Sequence, residues 1–143
     1  MGIDAERHEM IRANAALAIA ELGDAAGVTI GFNKGSVGWV EGFIERQREV
    51  QRGDTSEGLV NVLGSYLGEA VIAAVPDATW DEDPQIGLGV RFTNGDMVFP
   101  FAKVAKQLQD GLAAGESVLS FYNVSIGHVA TGQLGAADGS EAP

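Results

Sequence analysis

The stretch Leu59-Val-Asn-Val-Leu-Gly-Ser-Tyr-Leu-Gly-Glu-Ala-Val-Ile-Ala-Ala74 decides how this chain folds. Apolar side chains recur at positions 59, 62, 63, 66, 67, 70, 71 and 74, which is the spacing of one side of an α-helix. The segment Ile86–Pro100 follows, and it contains Asn94-Gly95, the strongest short signal for a β-hairpin. The sequence therefore predicts a central helix packed on a small antiparallel sheet.

The strands of that sheet are indicated by a change of periodicity after Pro76. Ala78–Glu82 is the predicted first strand, and Ile86–Thr93 is the predicted second strand. A two-residue turn at Asn94-Gly95 sets the register between the second and third strands. It predicts two opposed pairs, Phe92 with Met97 and Val90 with Phe99.

Two features flank this hairpin. Gly87 and Gly89 would leave a bare strip on the reverse face of the second strand, which an aromatic side chain such as Trp80 could cover. Pro100 cannot donate a hydrogen bond to a neighbouring strand, so it predicts the end of the third strand and the start of a helix. Four apolar residues form the inner side of that helix: Phe101, Val104, Ala105 and Leu108.

The N-terminal part of the chain is predicted to form two further helices. Asp4 can cap the first, which we expect to end before Gly23, and Ser36 can cap the second, which we expect to run to about Arg52 and to close at Gly53. Val28–Phe32 between them could form a short strand.

The second helix has a stripe that we expect to be buried, consisting of Trp39, Val40, Phe43, Ile44 and Val50. Its opposite arc is expected to face solvent and consists of Glu41, Glu45, Arg48, Glu49 and Arg52. Gln47 lies within the apolar stripe, so it needs a buried partner or a position at the edge of the core.

These patterns predict an α+β fold, with N-terminal helices packed on a three-strand antiparallel meander followed by a short helix. We expect one domain over residues 1–126 and a flexible, acidic, Gly/Ala-rich tail over residues 127–143. Ser117–Ile126 fits a strand by composition and a helix by spacing. The predicted core consists of Trp39, Phe43, Leu59, Leu63, Leu67, Val71, Leu88, Val90, Phe92, Phe99, Val104 and Leu108.

Charge and composition restrict the classes of function. The net charge of −11 argues against binding to nucleic acid or to an anionic membrane surface, because both require clustered lysine and arginine. The same charge is compatible with a basic protein partner. There is no cysteine, and we find no transmembrane run or signal-peptide pattern, so we expect a cytoplasmic protein.

Catalytic and metal-binding patterns are not apparent in the sequence. His8 and His128 lie far apart without a neighbouring metal ligand, and no serine lies in a nucleophile-elbow motif. We therefore expect no metal and no cofactor. Glu69 is a candidate functional residue because a carboxylate on an otherwise apolar helix must reach solvent, pair with another side chain or take part in a binding site. The candidate binding residues are accordingly Glu69, Arg91, Tyr66 and Trp80.

One family resemblance follows from several of these residues. The order Leu63-Gly-x-Tyr-Leu-Gly-Glu69, Trp80, Val90-Arg-Phe-x-Asn-Gly95, Val98-Phe-Pro-Phe-x-Lys-Val-Ala-Lys-x-Leu108, Gly111 and Ser120-Phe-Tyr122 resembles a bacterial domain family whose function is not established. The resemblance covers roughly residues 43–122 and implies a small bacterial α+β domain. It carries no catalytic residues to transfer.

Three functions remain open at this point. We expect a non-enzymatic protein-interaction or binding module, and one form of it is a toxin-neutralising, immunity-type protein whose acidic surface opposes a basic effector. The alternative class is a small metabolite-binding protein or enzyme that uses Glu69. The Gly64-x-x-x-Gly68 notch permits close backbone approach, either within the monomer or across the interface of a homodimer.

Overall fold

The predicted fold class is confirmed in the computed structural model, which describes residues 3–51 and 56–131. The described elements are, in chain order, α1 (Ala5–Ala26), α2 (Lys34–Gln51), α3 (Glu57–Ala74), β1 (Thr79–Asp83), β2 (Gly87–Arg91), β3 (Met97–Val98), α4 (Pro100–Asp110), a short 3-10 helix (Leu112–Ala114) and α5 (Val118–Thr131). Residues 127–131 of the predicted tail belong to α5, and the rest of the tail, residues 132–143, lies outside the described residues.

Helix α3 is the centre of the fold. It packs against α1 along one side and against α4 on another, while α2 packs mainly on α5 and α4. Its buried residues are Leu63, Gly64, Ser65, Tyr66, Leu67, Gly68, Ala70 and Val71. Because neighbours cover it on several sides, tertiary packing compensates for the low helix propensity of its glycines.

The glycine notch of α3 is filled from within the same chain. The Trp80 ring lies across Gly68, and the Phe101 ring lies across Gly64, so that a Cβ atom at either glycine would overlap a ring. The two rings are themselves 5.7 Å apart, centroid to centroid. The notch therefore joins α3 to β1 and α4 within one chain, which is the first of the two uses that the sequence left open.

The hairpin register differs by one residue from the expected one. Val90 is opposite Val98, and Arg91 is opposite Met97. The N–H of Phe92 donates to the carbonyl oxygen of Asp96 at 2.8 Å, and the N–H of Gly95 donates to that of Phe92 at 2.9 Å. The loop is thus Thr93-Asn94-Gly95.

A type I′ turn requires positive φ at both Asn94 and Gly95, but of these two only Gly95 has one, at 95°. The turn is therefore a three-residue loop in which glycine occupies the left-handed position, the arrangement that forms a bulge beside the turn. One additional loop residue shifts the pairing of the third strand. This shift exchanges the faces on which its side chains lie.

The strip left bare by the glycines of β2 is covered by a different aromatic residue from the expected one. Phe99, which was predicted to pair with Val90, lies over Gly89. Trp80 instead pairs with Val90 across the strands and directs its ring to α3. The register shift has freed Phe99 for this position.

The N-terminal helices begin and end differently from the sequence prediction. Asp4 caps α1 as expected, but α1 continues through Gly23 and ends at Ala26, where Gly27 is the C-cap with a φ of 68°. Val28–Phe32 is a loop, so the predicted short strand is wrong. Helix α2 begins at Lys34 because the side chain of Asn33 accepts the N–H of Ser36 at 2.8 Å, so Asn33 supplies the cap expected of Ser36. The expected closing residues Arg52 and Gly53 lie outside the described residues.

The core agrees with prediction on α3 and α4 and in part on α2, where Val40 and Ile44 are buried as expected. Leu63, Leu67, Val71, Val90, Phe92, Val104 and Leu108 are buried as expected. Phe43, Leu59, Leu88 and Phe99 are half-buried. In the predicted stripe of α2, Trp39 is 46% exposed and Val50 is 75% exposed, so both predictions of burial are wrong. The ambiguous segment Ser117–Ile126 is mostly helix α5.

We predict that Gly68→Ala destabilises the fold by about 1–3 kcal/mol, because its methyl group would overlap the buried Trp80 ring. Gly58→Ala is the matched control in the same helix, where the nearest atom to an added Cβ is the Ser56 Oγ at 3.8 Å. We expect it to be neutral or stabilising by up to about 1 kcal/mol. Urea denaturation measures the free energy of unfolding of both variants. Equal changes at the two glycines would contradict this packing.

Candidate functional site

Glu69 and Trp80 are the two predicted site residues that the structure brings together. The indole Nε1 of Trp80 donates to the Oε2 of Glu69 at 2.8 Å. Trp80 is 1% exposed, whereas Glu69 is half-buried at the edge of α3. The carboxylate therefore satisfies the polar atom of a ring that is otherwise surrounded by apolar groups, which is a structural role.

Arg91 is committed to a different partner on the sheet. Its Nε donates to the Oδ2 of Asp81 at 2.6 Å, and its guanidinium also donates to the carbonyl oxygen of Gly95 at 2.9 Å. The hydrogen bond from Arg91, together with the backbone N–H of Glu82, lowers the pKa of the Asp81 carboxyl below its ordinary value. This pair fastens β1 to the hairpin turn.

Tyr66 belongs to a third location, beneath the loop between α1 and α2. Its hydroxyl donates to the carbonyl oxygen of Gly31 at 2.5 Å, and its ring stacks on Phe32 with centroids 5.5 Å apart. Burial raises the pKa of Tyr66 well above its ordinary value. The hydroxyl of Ser36 accepts the N–H of Gly31 at 2.9 Å, so the two side chains bind the N–H and the carbonyl group of the same residue.

The four predicted residues thus form three separate contacts rather than one site. Neither of the large cavities described below is lined by Glu69. Within the part of the chain that the structure describes, no group of three or more His, Cys, Asp or Glu side chains could hold a metal ion.

Two glutamates on α2, which the sequence assigned to a solvent-facing arc, instead hold the connection between α4 and α5. Glu45 accepts hydrogen bonds from Gln107 Nε2 at 2.8 Å and from the N–H of Leu112 at 3.1 Å. Glu41 accepts from the hydroxyl of Ser117 and from the N–H of Leu119 at 3.1 Å. A carboxylate beside the first N–H groups of α5 is stabilising because of the positive end of the helix dipole. Glu45 also forms an ion pair with Arg48 at 3.2 Å.

The buried polar residue Gln107 completes this connection. Its side chain is fully buried, with Nε2 bonded to Glu45 and Oε1 accepting the N–H of Val118 at 2.8 Å. Both ends of the amide are therefore satisfied, as burial requires. Helix α2 is consequently fixed to the C-terminal part of the fold.

A groove lies on the other side of α2, between it and α1. One part is a cavity of about 520 Å³. Its lining is mostly apolar and consists of Leu22, Ala25, Ala26, Ile30, Trp39, Phe43, Arg46, Gln47 and Val50. The exposed side chains of the α2 stripe, Trp39 and Val50, therefore form part of a concave apolar surface.

A second cavity of about 630 Å³ adjoins the first and extends the groove towards the start of α3. The two share four lining residues, Leu22, Ala25, Phe43 and Gln47. The second is also lined by Leu17, Ala18, Glu21, Ser56, Gly58, Leu59, Val62 and Leu63. We refer to the two cavities together as the α1–α2 groove.

The α1–α2 groove exists because its walls belong to different parts of the core. Helix α1 packs on α3, whereas α2 packs on α5 and α4, and contact between α1 and α2 is slight among the described residues. The apolar side chains between them are consequently left accessible. Gln47, which the sequence placed at either a buried or an edge position, lies at the edge in this groove.

The comparisons with known proteins identify no relative. No family model, no curated protein and no solved structure matches the chain. No family model therefore supports the resemblance to a bacterial domain family. Among the described helices, none is both long enough and apolar enough to cross a membrane.

Sequence reasoning missed the groove although its signal was present. The stripe Trp39, Phe43 and Val50 has the spacing of a contact face, and this pattern does not distinguish a face covered by the same chain from one left open. The separation of α1 from α2 depends on the hydrogen bonds of Glu41 and Glu45 to residues far along the chain. No local pattern reports such contacts.

We predict that Glu69→Leu destabilises the protein by about 1–3 kcal/mol, because it leaves the buried indole N–H of Trp80 without an acceptor. Glu69→Gln keeps an acceptor oxygen, so its effect should stay within about 1 kcal/mol. Thermal and urea denaturation of the two variants check this. If the two variants are equally stable, the structural role that we assign to Glu69 is wrong.

We also predict that Arg91→Gln raises the pKa of Asp81 towards its ordinary value. A carboxyl whose pKa is lowered by folding contributes stability above its unfolded pKa of about 4, and that contribution is lost as the pH falls through the lower folded value. The variant should therefore show a weaker loss of stability below about pH 4. A carboxyl titration by NMR measures the pKa, and an unchanged value for Asp81 would contradict this pairing.

Proposed function

We propose that this protein is a non-enzymatic interaction module that binds an apolar segment of a partner polypeptide in the α1–α2 groove. The observation that carries the proposal is the accessible part of the α2 stripe, in which Trp39 is 46% exposed and Val50 is 75% exposed beside the half-buried Phe43. Tryptophan, tyrosine and arginine are the residues most enriched among those that dominate binding energy at protein interfaces. The groove presents Trp39 and Arg46 together.

The shape of the groove favours a helical segment as its occupant. Its lining residues on α1 extend from Leu17 to Ala26, which corresponds to about 14 Å at 1.5 Å per residue. This length accommodates about two and a half turns of a bound helix. An amphipathic helix with apolar anchors at positions i, i+3 or i+4, and i+7 therefore matches both the dimensions and the chemistry.

Several alternatives from the sequence remain as proposals beside this one. A homodimer would have to use a surface other than the glycine notch. Neutralisation of a basic toxin would be one biological use of the groove, and a cytoplasmic location would suit either use. A metabolite site at Glu69 has weaker support, because that carboxylate is already bonded to Trp80 and does not line the groove.

We predict that a 14-residue peptide designed as a Leu/Gln amphipathic helix binds the full chain and that Trp39→Ala weakens this binding about tenfold or more. Val50→Asp should also weaken it, because a charge would enter the apolar contact. Val124→Asp is the matched control, since Val124 is an exposed valine (51%) on α5, outside the groove lining. Fluorescence anisotropy of the labelled peptide gives the dissociation constants.

Circular dichroism of each variant establishes that the fold is kept before binding is compared. If the peptide does not bind, the proposed function is wrong. It is also wrong if Val124→Asp weakens binding as strongly as Val50→Asp does.

A further inference from the structure

We infer that the segment bound in the α1–α2 groove is a basic amphipathic helix that places a lysine or arginine beside Glu21 and an acceptor group beside Arg46. This inference rests on the proposed function and specifies the chemistry of its partner. It follows from the juxtaposition of two charged side chains with an apolar groove whose surroundings are mainly acidic.

Glu21 and Arg46 line different parts of the groove. Glu21 on α1 lines the cavity that reaches the start of α3, and Arg46 on α2 lines the cavity that reaches Ile30. Both side chains are exposed, and neither forms an ion pair with another residue in the described ranges 3–51 and 56–131. Each can therefore pair with a partner without breaking an existing contact.

Acidic residues outnumber basic ones among the described residues next in sequence to the groove lining. Asp24, Glu49 and Glu57 are exposed, whereas the single basic residue, Arg48, is paired with Glu45. The whole chain carries a net charge of −11. A positively charged partner is attracted to such a surface, and its association is accelerated at low ionic strength.

The same charge disfavours a second copy of this chain as the occupant. Two molecules that each carry a charge of −11 repel one another. A concave groove also needs a convex partner, and pairing one groove with another would leave unfilled space along the contact. A basic helix satisfies both the shape and the charge.

The two charged positions also predict an orientation for the bound helix. Because Glu21 lines one cavity and Arg46 the other, the basic side chain of the occupant lies over the part of the groove near α3. Its acceptor, a carboxylate or the carbonyl oxygens of a helix C-terminus, lies over the part near Ile30. Where the acceptor is the helix C-terminus, the C-terminal half of the bound helix points towards Ile30.

Three 14-residue peptides with the same leucine positions test this inference, with lysine, glutamine or glutamate at the polar positions. We expect the affinity order lysine, glutamine, glutamate, with about a tenfold difference between the first and the last at low salt. Because salt screens exposed charges, the difference should fall below about threefold in 0.5 M NaCl.

Charge-neutral variants then locate the effect. Glu21→Gln should weaken the lysine peptide by about two- to fivefold and leave the glutamine peptide unchanged. Glu6→Gln is the matched control, since Glu6 is an exposed glutamate of α1 that does not line the groove. Arg46→Gln should weaken a lysine peptide with a free C-terminal carboxylate more than the same peptide with an amidated C-terminus.

The possible results separate this inference from the proposed function. Failure of all three peptides overturns both, whereas equal binding of the three supports the groove and overturns the basic partner. Tightest binding of the glutamate peptide also overturns it. Saturable binding of palmitate that depends on Arg46 and displaces the lysine peptide would assign the groove to an apolar acid instead. Sedimentation of a dimer that dissociates on addition of the lysine peptide would assign it to a second copy.

Discussion

The contact of the Trp80 ring with Gly68 is the constraint on which the rest of the structure depends. The Trp80 ring lies so close to the backbone of α3 that no Cβ atom fits between them, and Gly68 meets this requirement. The indole N–H is then satisfied by Glu69, the next residue of the same helix. The Phe101 ring lies one helical turn away over Gly64, so β1 and α4 meet α3 at neighbouring places.

This contact and the packing of the neighbouring elements cover sides of α3 that a partner could otherwise use. The sheet and α4 cover the glycine notch, α1 covers another side, and α2 is held on the C-terminal helices by the carboxylates of Glu41 and Glu45. Helices α1 and α2 are therefore anchored to different parts of the core. The apolar surface left open between them is a consequence of this arrangement, and it is the surface that we assign to binding.

Much of the fold could be predicted from the sequence because its signals are local. The period of α3, the cap at Asp4, the helix start at Pro100 and the presence of a hairpin each depend on a few neighbouring residues. The register of the hairpin could not be predicted in this way, because Asn94-Gly95 is compatible with a two-residue turn and with the three-residue loop observed. One residue in the loop determines which side chain lies opposite Val90.

The candidate site was less predictable for a related reason. Glu69 and Trp80 were both identified, but their hydrogen bond depends on how the sheet packs on α3. The roles of Glu41 and Glu45 depend on residues more than sixty positions away, so their spacing alone suggested a solvated face. The stripe of α2 was recognised as a contact face, and only the arrangement of α1 and α2 decides that residues 3–51 and 56–131 leave part of it accessible.

The two tryptophans allow the central claim to be tested in one experiment, because the chain contains only Trp39 and Trp80. In a nitrogen–proton correlation spectrum of the labelled protein, each gives one indole N–H signal. On titration with the lysine peptide, the account predicts that the Trp39 signal shifts while the Trp80 signal, buried and bonded to Glu69, stays in place. A shift of the Trp80 signal with no change at Trp39 would contradict the account.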